Sequence, residues 1–299
     1  MGTSNAYGGA GGGTPLIPSW LQGEDGAGRG TAPPGDGAQP APAPGAPLPT
    51  VPPSVPPAPA PRPAIPAPGN SDRFTAARTS FSRFASSGGS DRRGLGRAVS
   101  RYVSTAAGGS RRAAQRMGSS RGAGAGLVRF LNDASANGVR EALRALNLES
   151  LAGRPIEEVF AGLADYICPE GGSIDEGIAR DAFIETIADL AGAGITNIDT
   201  LTPAQIQTVF ELYATHAIEA RLCNDIGTKV ITLPADPRAA ARVEAQLRDF
   251  IQRGVSDAIS AAGVNIEALS PDAVTGFVTT VYQSAFEVLQ TMGDAEAGE

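Results

Sequence analysis

The sequence has few of the residues and runs on which several classes of protein depend. Of its 299 residues, two are cysteine, one is histidine and one is tryptophan, and aromatic residues make up 5%. Two cysteines cannot build a disulfide scaffold, and they suit a reducing compartment. No apolar run approaches the ~20 residues that a membrane helix needs, and the N-terminus shows no signal-peptide pattern. We therefore expect a cytoplasmic protein that does not enter a membrane.

The residues that most often build catalytic and metal sites are scattered. Cys168, Cys223 and His216 show neither C-x-x-C nor H-x-x-x-H spacing, so the sequence predicts no zinc site. A single histidine among apolar residues at helical spacing is typical of packing or of the surface. No nucleophile, base and orienting group form a recognisable set. We expect no catalytic residues, no metal, no cofactor and no enzymatic activity.

Glycine and proline are abundant, and they divide the N-terminal quarter into two parts. Residues 1–30 hold ten of the 38 glycines, and 16 of the 24 prolines fall between Pro33 and Pro68. Such segments bury too little apolar surface to offset the entropy cost of ordering. The sequence predicts a Gly-rich arm over residues 1–30 and a disordered, Pro-rich linker over residues 31–69. Polyproline-binding domains could recognise the linker, but its composition favours a semi-rigid spacer.

One dense apolar cluster interrupts the Gly-rich arm. Residues 15–21 include Leu16, Ile17, Trp20 and Leu21. Because tryptophan dominates the binding energy of many interfaces, the cluster is typical of a peptide that docks on a partner. The alternative is that Trp20 lies loosely on the globular part of its own chain.

Residues 127–292 show the helix signals of a globular domain. Apolar residues recur at helical spacing. Capping boxes at Ser173 and Thr202, with Glu176 and Gln205 three residues later, predict two helix starts. Prolines at 237 and 271 predict two more, since proline is favoured in the first helical turn.

The same region shows little sign of β-strands. Only residues 229–233 have a strand-like composition, and one short strand makes no sheet. Residues 293–299 are rich in acidic side chains and are expected to form a tail. The fold class that we expect is an all-α helical C-terminal domain with a long disordered Gly/Pro-rich N-terminal arm.

Residues 70–126 are rich in arginine and predict short amphipathic helices separated by glycine. Pieces this short need a larger body to dock on. Residues 118–126 are expected to interrupt the last of them as a flexible connector. Glycines before a helix also suit a bound anion, and Arg116 and Arg121 are the candidate anion-binding residues, although the lysine of a P-loop is absent.

Charge is strongly segregated beneath a net charge of −7. Residues 70–130 hold twelve arginines and two aspartates, whereas residues 131–299 hold 26 acidic and ten basic residues. The arginines, interleaved with aromatic residues, could bind nucleic acid through phosphate contacts and base stacking. Alternatively they neutralise the acidic domain or an acidic partner, and the helical spacing of the aromatic residues favours this interpretation based on protein packing.

The sequence contains a single lysine, Lys229. Once Met1 is removed, which a small second residue favours, the α-amine of Gly2 is one of two amines. An α-amine has a pKa of ~7.7–8, against ~10.4 for lysine, so it is far more often the free nucleophile near neutral pH. Gly2 is therefore a candidate acceptor for a modification. A GC-rich genome would explain the scarcity of lysine without any function.

Several strings in the sequence resemble a known family. Residues 1–4 (MGTS), 7–9 (YGG) and 11–21 (GGGTPLIPSWL) resemble the start of QatB proteins, which belong to the Qat anti-phage defence systems. Residues 116–121 (RMGSSR) and 168–177 (CPEGGSIDEG) are similar to the same family. The resemblance spans the chain apart from the Pro-rich linker.

This resemblance implies a bacterial defence system of four components, in which the partners are an ATPase, a QueC-like enzyme and a TatD-like nuclease. It also implies that the QueC-like enzyme attaches a deazaguanine base to a protein N-terminus, with Gly2 as the acceptor. We predict a non-enzymatic component whose helical body docks partner proteins. The alternatives are a nucleic-acid-binding adaptor that uses residues 70–130, or a structural or secretion-associated protein.

Overall fold

The computed structural model describes residues 71–168, 173–227 and 234–298, and every regular element in these ranges is helical. The prediction of an all-α domain is therefore confirmed. The predicted disordered arm and the strand-like residues 229–233 lie outside the described residues. No helix in the described ranges is both long enough and apolar enough to cross a bilayer.

Ten α-helices make up the described part of the chain. They are α1 (Thr75–Ser86), α2 (Arg92–Arg101), α3 (Ser110–Gln115), α4 (Gly118–Asn137), α5 (Val139–Ala145), α6 (Ile156–Ile167), α7 (Ile174–Gly192), α8 (Pro203–Ile226), α9 (Pro237–Ala262) and α10 (Pro271–Gly298). A π-helical segment, Tyr102–Ala107, continues α2. Short 3-10 turns lie at Ser71–Phe74, Glu149–Leu151, Ile198–Thr200 and Ile266–Ala268.

Local sequence signals account for several helix starts. The hydroxyl of Ser173 accepts a hydrogen bond from the amide of Glu176, and Thr202 does the same for Gln205, so both predicted capping boxes are present. Helices α9 and α10 begin at Pro237 and Pro271 as predicted. The first amides of a helix have no acceptor inside the helix. A capping side chain accepts a hydrogen bond from one of them, and a proline in the first turn has no amide hydrogen to satisfy.

The core of the body lies among the long helices. Helix α7 packs on α8, α8 on α9 and α9 on α10, while α4 lies against α7, α8 and α10. Aromatic rings fill the centre: Phe183 meets Tyr213 edge-on at 5.6 Å between ring centroids, and Phe210 meets Phe277 at 5.8 Å. Burial of a ring of this size stabilises the fold by about 2–3 kcal/mol.

The arginine-rich helices share this core. Helix α1 packs on α2, and α2 packs on α10. Phe84, Val99 and Tyr102 are each at most 1% exposed and belong to the same apolar cluster as the body. The prediction that these short helices dock on a larger body is therefore confirmed.

Residues 118–126 correct one prediction, because they form the first half of α4 rather than a flexible connector. Glycine usually costs about 1 kcal/mol in a helix. Here the glycines allow close packing: a Cβ at Gly124 would lie 3.2 Å from the Tyr213 ring, and one at Gly126 would lie 2.9 Å from a methyl carbon of Ile167. This packing offsets the low helix propensity of glycine. The predicted boundary between the arginine-rich segment and the globular domain, at residues 126 and 127, therefore lies inside α4.

The chain end corrects a second prediction. Residues 293–298, which we expected to form an acidic tail, continue α10 and contact α2. The hydroxyl of Ser100 donates a hydrogen bond to Asp294. The guanidinium of Arg97 donates to the carbonyl of Ala297 at 3.4 Å, where a cation is favoured by the helix dipole. The polar last turns of α10 therefore serve as a docking surface for α2.

Candidate functional site

Most of the site residues expected from sequence lie outside the described part of the chain. These are the candidate acceptor Gly2 and the cluster residues Leu16, Ile17, Trp20 and Leu21. Their roles remain predictions. Arg116 and Arg121, the candidate anion-binding residues, lie in the described part.

A carboxylate of the same chain lies at the N-terminus of α4, near the residues that the sequence offers as candidates for binding an anion. The amide of Ser119 donates to Oδ2 of Asp175 at 2.7 Å, and Arg221 lies 3.4 Å from Oδ1 of the same carboxylate. Helix N-termini favour negative charge because their first amides have no partner within the helix. Asp175, from α7, thus supplies the negative charge that this helix start attracts.

Arg116 belongs to a neighbouring polar cluster around Asp225. Its guanidinium lies 4.0 Å from Oδ2 of Asp225, which also accepts a hydrogen bond from Tyr102 at 2.9 Å and from Arg221 at 3.2 Å. Partial burial lowers the pKa of Arg116, and nearby Arg73 lowers it further. Burial, together with the charge of Asp225, raises the pKa of the Tyr102 hydroxyl, which therefore stays protonated and donates. The cluster joins α8 to the arginine-rich helices.

Arg121 reaches a different part of the body. It donates to the hydroxyl of Thr279 on α10 at 3.1 Å, whereas Arg116 faces Asp225. The structure therefore gives the two candidate arginines separate partners. Near Arg121, three buried polar atoms have no hydrogen-bond partner in the described part of the chain: Nε of Arg121, Oγ of Ser120 and Oη of Tyr282.

The thiols and the histidine do not form a nucleophilic site. Burial raises the pKa of Cys168 to about 11 and that of Cys223 to about 12, so both are protonated near neutral pH. His216 is 3% exposed, and its Nε2 lies 2.7 Å from Oδ2 of Asp189. Among the described residues, no group of three histidine, cysteine or acidic side chains is placed to hold a metal ion.

An open groove of about 620 Å³ lies between α4, α5, the end of α6 and the start of α10. Its lining includes Phe130, Leu146, Leu269 and Tyr166, and Tyr166 is 53% exposed. Asn132 also lines it and donates to the carbonyl of Ile266 at 2.9 Å. This volume lies within the ~300–1,000 Å³ typical of ligand pockets, and its apolar lining suits a few apolar side chains of a partner.

No sequence signal points to this groove or to the cluster around Asp225. Leu146 and Leu269 both line the groove but are more than 100 residues apart in the sequence. Tyr102 and Asp225 come from different predicted segments. Only the helix packing brings them together. A single aromatic residue such as Tyr166 at a helix end is indistinguishable, in sequence, from a core residue.

Comparison with known proteins supports one family. The model of a family described as "Qat anti-phage system associated protein QatB" matches residues 108–289, more than half of the chain. The matched range contains the strings 116–121 and 168–177 but not the N-terminal strings. No curated protein and no solved structure gives a match.

Proposed function

The chain belongs to the QatB family of Qat anti-phage systems, and from this premise we propose that it is a non-enzymatic component whose N-terminal arm is modified while its helical body docks partners. The modifying enzyme is the QueC-like protein of the same system, and Gly2 carries the acceptor amine. The body docks partner proteins of the same system, which by the resemblance are the QueC-like enzyme, an ATPase and a TatD-like nuclease.

The scarcity of amines is the observation that carries the proposal. Lys229 is the only lysine in 299 residues. The α-amine of Gly2 has an ordinary pKa of ~7.7–8, so near neutral pH a large share of it is unprotonated, whereas a lysine with a pKa of ~10.4 is almost wholly protonated. An enzyme that acylates or alkylates an amine of this chain therefore meets essentially one nucleophile.

The apolar cluster of the arm supplies the binding energy for this encounter. Leu16, Ile17, Trp20 and Leu21 are the kind of anchor that a flexible peptide needs to offset its ordering cost. The 36 residues from Pro33 to Pro68, at ~3.1 Å per residue, give the arm a reach of about 110 Å when extended. A partner bound to the body can thus receive the arm in its active site.

One feature of the body fits a docking role. The groove beside Tyr166 offers a half-exposed aromatic side chain, the residue type that most often anchors a protein interface.

The intact mass of the protein, purified with and without its QueC-like partner, tests the proposal. We expect an adduct that peptide mapping places on Gly2, and we expect an uncleaved N-terminal tag or Trp20→Ala to abolish both the adduct and protection against phage. Lys229→Arg and Val55→Ala, the latter an apolar change in the Pro-rich linker outside the cluster, serve as controls that keep both. An adduct on Lys229, or full protection by the tagged protein, would refute the proposal.

A further inference from the structure

Nearly all of the arginines between residues 71 and 130 form no ion pair with the acidic body in the described part of the chain. Within the described residues only Arg116, of these twelve, lies within ion-pair distance of a carboxylate. By contrast, six of the nine arginines between residues 131 and 298 form such pairs: Arg140, Arg144, Arg154, Arg180, Arg221 and Arg248. If the segment neutralises the acidic domain, as one sequence-based interpretation has it, direct ion pairs carry little of that effect, since Arg116 alone forms one among the described residues.

Helix α2 presents one row of arginines. Arg93, Arg97 and Arg101 recur every four residues, and the other side of the helix packs through Leu95 and Val99. At 1.5 Å per residue, successive arginines are about 6 Å apart along the axis. The helix contains no acidic residue. Like charges at this spacing destabilise a helix, a cost that a bound polyanion would remove.

Neighbouring helices extend the positive charge. Arg83 is exposed on α1, which is joined to α2 by a hydrogen bond from Arg101 to Ser80 at 3.1 Å. Arg111 and Arg112 are exposed in the first turn of α3, where the helix dipole disfavours a cation. Helices α1 and α3 contain no acidic residue either. We refer to five exposed side chains as the arginine face: Arg83, Arg93, Arg101, Arg111 and Arg112. Arg97, in the same row, is half-buried and donates to α10.

The chemistry of this face favours a nucleic acid over an acidic protein. Protein interfaces have an apolar core with aromatic or aliphatic anchors. The large apolar side chains that are exposed in the described residues are Tyr166, Ile174, Ile184 and Val264, and all of them lie outside α1–α3. Interfaces with nucleic acid are polar and strongly positive, and arginine binds phosphate with two parallel hydrogen bonds.

Burial of the aromatic rings decides which form of nucleic acid fits. The rings near the arginines are at most 9% exposed: Phe74, Phe81, Phe84, Tyr102 and Phe130. Base stacking on exposed aromatic rings, on which single-strand recognition largely depends, is therefore unavailable on these helices. We infer that the arginine face binds the phosphate backbone of double-stranded nucleic acid without reading its bases. This inference goes beyond the proposed modification of Gly2 and does not depend on it.

Fluorescence anisotropy with the full-length protein tests the inference. The probes are a labelled DNA duplex, an RNA duplex of the same sequence and the matching single strands, titrated from about 50 to about 200 mM salt. The test variant combines Arg93→Gln, Arg101→Gln and Arg111→Gln. Its control combines Arg140→Gln, Arg144→Gln and Arg154→Gln, three exposed arginines of the acidic body with the same total charge change.

We expect at least one duplex to bind more tightly than its single strands, with an affinity that falls steeply with salt. The test variant should bind about tenfold or more weakly at low salt, and its salt slope should become shallower by about 1 for each phosphate that it no longer binds. The control should stay within about twofold of the parent protein. Comparison of the DNA and RNA titrations shows which duplex is the ligand.

Several results would overturn the inference. One is the absence of duplex binding at low salt, and another is an equal loss of affinity in the test and control variants. Tighter binding of single strands would show that bases are stacked after all. If the test variant instead fails to bind a protein partner of the system and the parent binds no duplex, the arginine face is a docking site for an acidic protein.

Discussion

A Cβ at Gly293 would lie only 2.6 Å from the carbonyl oxygen of Gly96, so helices α10 and α2 cross at a pair of glycines. The reverse holds as well, since a Cβ at Gly96 would lie 2.8 Å from the carbonyl oxygen of Gly293. Real Cβ atoms do not approach backbone this closely. The two glycines therefore set the distance at which the arginine-rich helices dock on the body.

The first prediction follows from this crossing. Gly293→Ala should lower the free energy of unfolding by about 1–3 kcal/mol, because the added methyl group meets backbone that cannot move aside cheaply. Gly276→Ala is the matched control: it lies in the same helix with nothing within 4 Å, so better helix propensity should make it neutral or stabilising. Urea unfolding measures both. Equal effects from the two variants would show that the helices do not cross as described.

The second prediction separates two buried tyrosines. The hydroxyl of Tyr213 donates to the carbonyl of Ser120 at 3.0 Å, whereas the hydroxyl of Tyr282 has no partner in the described part of the chain. Tyr213→Phe should therefore cost about 0.5–1.5 kcal/mol, and Tyr282→Phe should be neutral or stabilising. Thermal unfolding distinguishes the two. A comparable destabilisation by Tyr282→Phe would mean that its hydroxyl is hydrogen-bonded in solution.

Sequence reasoning succeeded where the signal is local and failed where packing decides. The caps at Ser173 and Thr202 and the start at Pro237 depend on residues within one turn, so the sequence predicts them. Residues 118–126 are helical despite their glycines, two of which, Gly124 and Gly126, pack closely against Tyr213 and Ile167. Both contacts are distant in sequence, so no local pattern predicts them.

The same distinction applies to the candidate site. The spacing of Phe81 and Phe84 predicts which side of α1 packs, and both are buried. It does not predict where the opposite side points. A net charge of +10 over residues 70–130, beside one of −16 over residues 131–299, suggests mutual pairing. The packing of α2 on α10 nevertheless leaves Arg93 and Arg101 exposed, and it depends on distant contacts such as Gly96 with Gly293. The groove beside Tyr166 has no sequence signal at all, because it is assembled from four separate elements.

The third prediction concerns thiol reactivity. The ordinary pKa of a cysteine is 9.0, and burial raises it to about 11 for Cys168 and to about 12 for Cys223. At pH 8 the native thiolate fraction is then about a hundredfold or more below that of the unfolded chain. Iodoacetamide should therefore label the native protein at least about a hundredfold more slowly than the protein in denaturant, as followed by intact mass.

The comparison is made on the full chain, and raising the pH provides the internal control. Native labelling should accelerate about tenfold for each unit of pH up to about 11, because only the thiolate reacts. Fast labelling of Cys168 at pH 8 would contradict the burial that the structure gives it.

The last prediction tests whether partners dock at the groove beside Tyr166. This side chain is 53% exposed at the rim of a half-open apolar groove, where an aromatic ring can enter a partner's pocket. If the groove is the docking surface, Tyr166→Ala should weaken binding to one partner of the system by about tenfold or more, the effect typical of removing an aromatic anchor. Ile184→Ala is the matched control, because Ile184 is 50% exposed on α7 and lies outside the groove. It should change the affinity by less than about twofold, since an exposed apolar residue outside an interface contributes little to binding.

Calorimetry with the separately purified partners measures both variants, and unchanged unfolding temperatures show that each still folds. Equal weakening by the two substitutions, or an unchanged affinity with Tyr166→Ala for every partner, would place the docking surface elsewhere on the body.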